Sequence, residues 1–592
     1  MFERTFQTEL DYLYQLCEEL GRTYPRVAPV LGRDADPGVS RLVQSLAFGF
    51  ARLRERLDDE LPEVIHPVME TLCPALLRAF PSATMLELEP TLKIRTRQIV
   101  EKGRAFDSRP VEGVRCAFAS TEACIMQPIA LRDVVLHGAE RRQILLVFEL
   151  FEGARLADVD SIGLYFAGDL PGALDLRAHL LEETDKVLAR AGEREVRLGG
   201  PSGRDVYRRP GFADPLGSLG PPGSLGSGAS RLGGPLLLAR EYFAFPNKFA
   251  RLELGPLQLS GLGDAERFEI EIRLAEPIPA HVTVDPTSIR MHAVPAIQIS
   301  APTPVTVRTE PEDDRWALRA LVPGDDTEIV SVEKVAVVER GTLKSKPIPS
   351  WGELIPPPLE ATEDAVLFYE LARRRSAVGP TLDIELTFGT ALRSCPPGGD
   401  IEVTLVTTQL RRAAQLGIGD VCESTKSANA VIAYRNVIPV TRAAPAVLEG
   451  DRLWHFYRYF KLGLPSLAER NELAALLARA NLPAWGRWPG AKESATDFEA
   501  LLDVRWRRTH LTDLGADTSA DLRAVARIGI ELEVVVDESR FAGRGDLHLF
   551  GEVVEQLFAG AASEDDSIRL VLLRRDGAVL FSYDLRHGTR AP

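Results

Sequence analysis

The sequence predicts a multidomain α+β fold: an N-terminal helical segment, several β-rich modules and an α+β C-terminal domain. Three observations carry this. Over roughly the first 80 residues apolar side chains recur every three or four positions, the period of one helix face. From Thr84 the period drops to two, as in half-buried strands. And 592 residues exceed what a single core serves, at roughly 150 residues per domain. Composition changes place the boundaries. Residues 1–82 read as a helical, bundle-forming segment and 83–198 as a β-rich domain. A Gly/Pro/Ser-rich linker or loop follows at 199–234, then a β-rich domain at 235–345, a mixed α/β region at 346–450 and an α+β domain at 451–592.

In the first segment Leu10, Leu13, Cys17 and Leu20 form one helical stripe. Asp36 and Pro37 suit the cap and first turn of a second helix. Along it Leu42, Leu46, Phe50, Leu53 and Leu57 recur at spacings of four and three. Pro62 is expected to stop this helix, and a third helix is expected over 63–79. The stripe serves either as an internal core or as a bundle seam shared with another chain.

Strands are read at 86–90, 92–100, 114–120 and 143–151, and a helix at 173–192. In the linker, Gly, Pro and Ser fill 21 of the 36 positions of 199–234, too many for a packed element, so it is read as mobile. The next stretch, EYFAFPNKF at 241–249, holds four aromatic residues: Tyr242, Phe243, Phe245 and Phe249. Leu238, Tyr242 and Phe245 keep helical spacing, Pro246 disfavours helix at the residue before it, and the chain beyond alternates. The reading is a short helix turning into a strand, with its rings filling a structural corner. Strands follow within 265–345, a proline-rich boundary at 346–360 and a helix at 364–375. Strands are then read at LDIELTF and DIEVTLVTT, and a helical region at 451–482. The tail reads strand, helix, strand, strand.

Composition narrows the function. A net charge of −15, from 85 acidic and 70 basic side chains, argues against nucleic-acid binding. The six cysteines form no CxxC pair and read as small apolar residues of a reducing compartment. The acidic start lacks the basic cap and apolar run of a signal peptide, and no stretch approaches the ~20 apolar residues of a membrane helix, so a cytoplasmic protein is expected. No catalytic, cofactor-binding or metal-binding set is found. GLGDAE at 261 and GIGDVC at 417 lack the third glycine of a phosphate loop. No two histidines lie close together, and Asp313-Asp314 and Asp565-Asp566 read as solvated turns. His292 reads as a hydrogen-bonded core histidine. An assembly component fits these features; a hydrolase with carboxylates brought together from distant positions is the competing class.

Family motifs add to this reading. Glu9, Leu10, Tyr12 and Leu13, then Asp36, Pro37, Val39, Arg41 and Leu42, then Leu57, Asp58, Glu60 and Pro62 resemble the opening blocks of the TssF (VasA/ImpG) family of type VI secretion baseplate subunits. Glu241 to Phe249 reproduces that family's E-Y-F-A-F-P-x-K-F block, and His292, Val294 and Pro295 match its x-H-x-V-P block. Phe541, Gly545, Phe550 and Phe558 resemble its C-terminal pattern. Ala296, Ile297 and Gln298 depart from the usual Asn-Leu-Phe run, which marks a divergent member. The resemblance implies a structural, non-enzymatic wedge component without cofactors. Its implied partners are a TssG-like subunit, a second TssF copy, a TssK-like adaptor and the VgrG hub, at the cytoplasmic face of the inner membrane. The wedge would prime tube and sheath assembly. A baseplate of a phage-like or extracellular contractile particle is the nearest alternative. Leu42, Leu46, Phe50, Leu53 and Leu57 are then the candidate partner interface.

Overall fold

The computed structural model describes residues 37–138, save 91–93, and 140–212, save 201 and 202. It further describes 226–307, 315–318, 322, 326–338, 345–350, 368–375, 382–389, 400–422, 432–444, 446, 450–481, 498–511 and 527–590. Of the first 36 residues it describes six, Leu10, Leu13 and Cys17 among them, all on helical backbone. The fold is α+β and multidomain, in two compact units: residues 1–69 with 448–454, and residues 70–447 with 455–592.

Helix α1, Pro37–Leu72, begins at its proline, where the missing N–H costs nothing. It does not stop at Pro62, and no separate helix covers 63–79: α1 runs on to Leu72 and a 3-10 turn, Pro74–Leu77, follows. An interior proline costs about 3 kcal/mol, which the remaining hydrogen bonds of a 36-residue helix can offset. In the first unit Val43 and Ala47 of this helix are buried, and the Tyr14 and Ser40 hydroxyls hydrogen-bond at 3.0 Å.

The second unit is built on sheets that are antiparallel save for one pair. One orders its strands Ile432–Asn436, Ala83–Pro90, Ala293–Gln298, Val114–Ser120 and Ala105–Val111. Three segments that the sequence separates thus meet in one sheet, over a core that includes Leu86, Phe106, Phe118, Met126, Val294 and Val421. A second sheet runs Arg194–Leu198, Thr184–Ala191, Arg267–Leu274, Gln143–Leu150 and Ile129–His137. Its inner face buries Ile144, Leu146 and Phe148 in strict alternation, with Val187 and Ile270 also buried. Helix α2 is Leu170–Glu183, its Asp169 cap accepting the Gly172 N–H at 2.9 Å. The helix expected over 173–192 therefore ends early: Thr184–Ala191 is a strand, claimed by pairing on both sides.

The described strands between 303 and 409 form a sandwich of a four-stranded and a three-stranded sheet, with Trp316, Ile329, Ile384, Leu386, Ile401 and Val403 between them. Here the helix expected at 364–375 is corrected. Residues 364–367 lie outside the described ones, and Phe368–Arg375 is a strand paired with Leu382–Gly389. Tyr369 is buried, Leu371 packs on the core, and buried Arg373 reaches Glu70 at 3.3 Å. These three positions share one face of a strand, whereas the clustered Val366, Leu367, Phe368 and Leu371 imitate helical spacing.

Helix α3, Gly226–Ala244, starts inside the segment read as a linker, whose residues 213–225 lie outside the described ones. Helices α4 (Gly450–Lys461), α5 (Leu464–Leu467) and α6 (Arg470–Ala480) occupy the expected helical stretch. The C-terminal sheet orders Leu501–Leu511, Arg527–Val536, Ser567–Arg574 and Val579–Ser582. Its central pair is parallel, which requires a crossover. Helix α7, Arg544–Ala561, supplies it and is buried from Gly545 to Ala561 save Gln556.

Candidate functional site

The candidate interface lies on α1. Leu42 is 62% exposed, and Leu46 and Phe50 are 47% exposed each. Each step of four residues turns a helix by about 40°, so these side chains form a slowly winding apolar strip next to the buried Val43 and Ala47. The side chains of Leu53 and Leu57 lie outside the described residues.

The second feature is the corner at 241–249. Helix α3 ends where the Phe245 N–H donates to the Glu241 carbonyl at 2.7 Å, and a 3-10 turn, Pro246–Phe249, leads to strand Arg251–Leu254. Tyr242, Phe243, Phe245 and Phe249 are all buried. The Tyr242 hydroxyl donates to Asp546 Oδ1 at 3.1 Å, and its ring lies 6.1 Å from Phe550 of α7. Phe550 in turn stacks on Phe498 at 5.6 Å and meets Phe541 at 5.1 Å. The same stretch holds a pair that ring counting misses: the fully buried Lys248 ammonium lies 2.8 Å from Glu241. Glu122 completes that set, 3.8 Å from Lys248 and 2.8 Å from Arg251. Two charges seven residues apart inside an apolar block were the available signal, since a buried ammonium requires a counter-charge.

A third feature was not legible at all. Arg177 on α2 donates to both carboxylate oxygens of Glu552 on α7, at 2.7 and 3.1 Å, with the two side chains 1% and 2% exposed. Arg209 adds a contact to Glu552 at 3.3 Å and His548 another at 3.8 Å. Burial acts to raise the Glu552 pKa, but Arg177, His548 and Arg209 outweigh it and hold the carboxyl down at about 2. One turn on, burial prevails over Arg586 and Arg209, and the Glu555 carboxyl is pushed up to about 7. Burial likewise pushes Asp546 up to about 7, against the Ala542 N–H and Tyr242 hydroxyl that favour its charged form. At the start of α7 the Gly545 N–H donates to Asp175 Oδ1 at 2.5 Å, and His281 Nε2 lies 2.7 Å from Asp175 Oδ2. A Cβ on Gly545 would fall 2.1 Å from the Leu174 backbone, so only glycine permits this approach of α7 to α2.

These charges are set in pairs across element contacts and hold packed parts together. Among the described residues no group of three or more His, Cys, Asp or Glu side chains is placed to hold a metal ion. His292 is half-buried, desolvation pushes its pKa down to about 4, and its Nε2 accepts the Gln127 N–H at 3.3 Å. The GIGD stretch closes a turn, Asp420 Oδ2 accepting the Gly417 N–H at 2.9 Å. Asp565 is exposed in a turn, whereas Asp313 and Asp314 lie outside the described residues. Cys73, Cys116 and Cys124 are buried thiols, Cys17 and Cys422 are half-buried, and Cys395 lies outside the described residues. Among the described residues no helix is long and apolar enough to cross a membrane.

Known proteins share this architecture. A chain of the type VI secretion system TssK-TssF-TssG baseplate subcomplex has a similar fold, with a TM-score of 0.69 and 24% identity over 93% of this chain and 100% of that one. A chain of the baseplate complex from the type VI secretion system is similar at a TM-score of 0.59 and 20% identity, with both chains fully covered. The type VI secretion system component TssF1 of Pseudomonas aeruginosa is 24% identical over 142 residues, 22% of this chain. That match spans about a quarter of the relative's length (23%). The family model for "Type VI secretion system, TssF" matches residues 1–590, and the chain accordingly belongs to the TssF family.

Proposed function

We propose that this chain is a structural baseplate wedge component of a type VI secretion system. In this reading it joins a TssG-like subunit, a second copy of itself and a TssK-like adaptor around a VgrG hub, at the cytoplasmic face of the inner membrane. It acts by shape and buried area and catalyses no reaction. The observation that carries the reading is the exposed apolar strip of α1, where Leu42, Leu46 and Phe50 stand open beside a buried face. Covering the exposed part of each contributes on the order of 1 kcal/mol, and a bundle seam would gather several such side chains. Family membership over residues 1–590 and the fold of the relatives' subcomplex support the same reading.

The test is co-expression with a TssG-like protein of the same genome, followed by measurement of the mass of the purified complex. A stoichiometry of two copies of this chain to one TssG-like subunit is expected. A chain that elutes alone when offered that partner overturns the reading.

A further inference from the structure

Among the described residues the C-terminal sheet ends in an open edge. Strand Leu501–Leu511 is eleven residues long, and among the described residues it pairs with Arg527–Val536 alone. Residues 505–508 and 510 are exposed in succession. Its two faces differ. Trp506 and Arg508 lie opposite Leu532 and Ile530, on the face that carries the sheet's apolar residues, and Trp506 is 42% exposed there. Arg505 and Arg507 lie opposite Glu533 and Glu531 on the other face, where Arg507 bridges both acids. Beyond Asp503 the strand carries Arg505, Arg507, Arg508 and His510 and no acid, in a chain whose net charge is −15. Arg508 pairs with no acid among the described residues.

We infer that this edge receives an extended segment of another protein by strand addition, and that the segment alternates acidic and apolar side chains. A free edge presents a row of backbone donors and acceptors ready for one more strand. Acids on the incoming strand would extend the Glu–Arg ladder past Arg505 and Arg507, while its apolar residues would cover Trp506. A second copy of this chain is a poor occupant. Two-fold antiparallel pairing about residue 505, 506 or 507 sets arginine directly against arginine, and like charges so opposed are destabilising.

The test uses the full chain and a short synthetic peptide of alternating valine and glutamate. A control peptide identical save for one central proline cannot add as a strand. Hydrogen exchange of amides 504–510 is read with each. The alternating peptide should slow exchange across that stretch and the control should not. Equal protection by both, or by neither, overturns the inference. Arg505→Glu/Arg507→Glu, on the face that receives the acids, should weaken binding of the glutamate peptide about tenfold and favour a valine–lysine peptide instead, as expected for two cross-strand charge pairs. A variant that folds and keeps the original preference also overturns it. So does dimerisation of the unmodified chain through this edge.

Discussion

Replacing Arg177 with methionine keeps most of the side chain's volume but strips Glu552 of two hydrogen bonds, at 2.7 and 3.1 Å, in a place closed to water. Breaking one partner out of a buried ion pair costs about 3–5 kcal/mol. Arg209 still reaches Glu552 at 3.3 Å but is itself 35% exposed, so the lower end, about 3 kcal/mol, is expected. Urea titration read by hydrogen exchange of the α7 amides would measure it. The loss also has a pH signature. A carboxyl held near 2, against an ordinary 4.5, contributes stability that is present above 4.5 and disappears as pH falls through 2. Arg177→Met removes that contribution, so the gap between the two proteins should be widest at neutral pH and shrink below 4.5. Adding Glu552→Gln should restore part of the loss, because no carboxylate is then left stranded. A loss under about 1 kcal/mol, or a gap independent of pH, would refute the view that this cluster clamps α7 to α2.

Gly545→Ala should destabilise the same clamp by about 1–3 kcal/mol or more, because the new methyl meets Leu174 backbone and has no flexible neighbour to displace; thermal melting would show it. The carboxyls of Asp546 and Glu555, both near 7 in the fold, contribute stability that is complete below their ordinary pKa values and lost as pH rises through 7. Asp546→Asn should therefore flatten part of the decline between pH 4 and 7, with Glu555 retaining the remainder; a variant whose stability-against-pH curve parallels the parent's would contradict this. Leu46→Asp with Phe50→Asp should leave the melting temperature of the isolated chain nearly unchanged, since both side chains already face solvent, yet abolish co-purification with the TssG-like subunit. Retained co-purification would place the seam elsewhere.

Local pattern was legible wherever one residue's environment repeats along its own element. Residues 143–150 alternate because one sheet face is wet, and the apolar strip of α1 shows because a helix returns to the same face every three or four residues. Phe368–Arg375 was misread because its apolar residues cluster by helical spacing while pairing with 382–389 decides the backbone. Strand Leu501–Leu511 carries no clear strand signal, since its arginines occupy both faces and blur the alternation. At the corner, the aromatic count drew attention to 241–249, but the buried Glu241–Lys248 pair was visible only as two charges in an apolar block. Arg177 and Glu552 stand 375 residues apart, and no local pattern can bring them together.

The sheet joining residues 83–90, 293–298 and 432–436 has a consequence for synthesis. Strand 83–90 leaves the ribosome long before either neighbour exists. At about 5–20 residues per second, its last partner emerges roughly 20–70 seconds later. Until residues 293–298 emerge, about 10–40 seconds in, Leu86 and Leu88, which the finished protein buries, have no neighbouring strand on either side, and one side stays open for the rest of the interval. Slowing translation between these segments should prolong that exposure and lower the soluble yield.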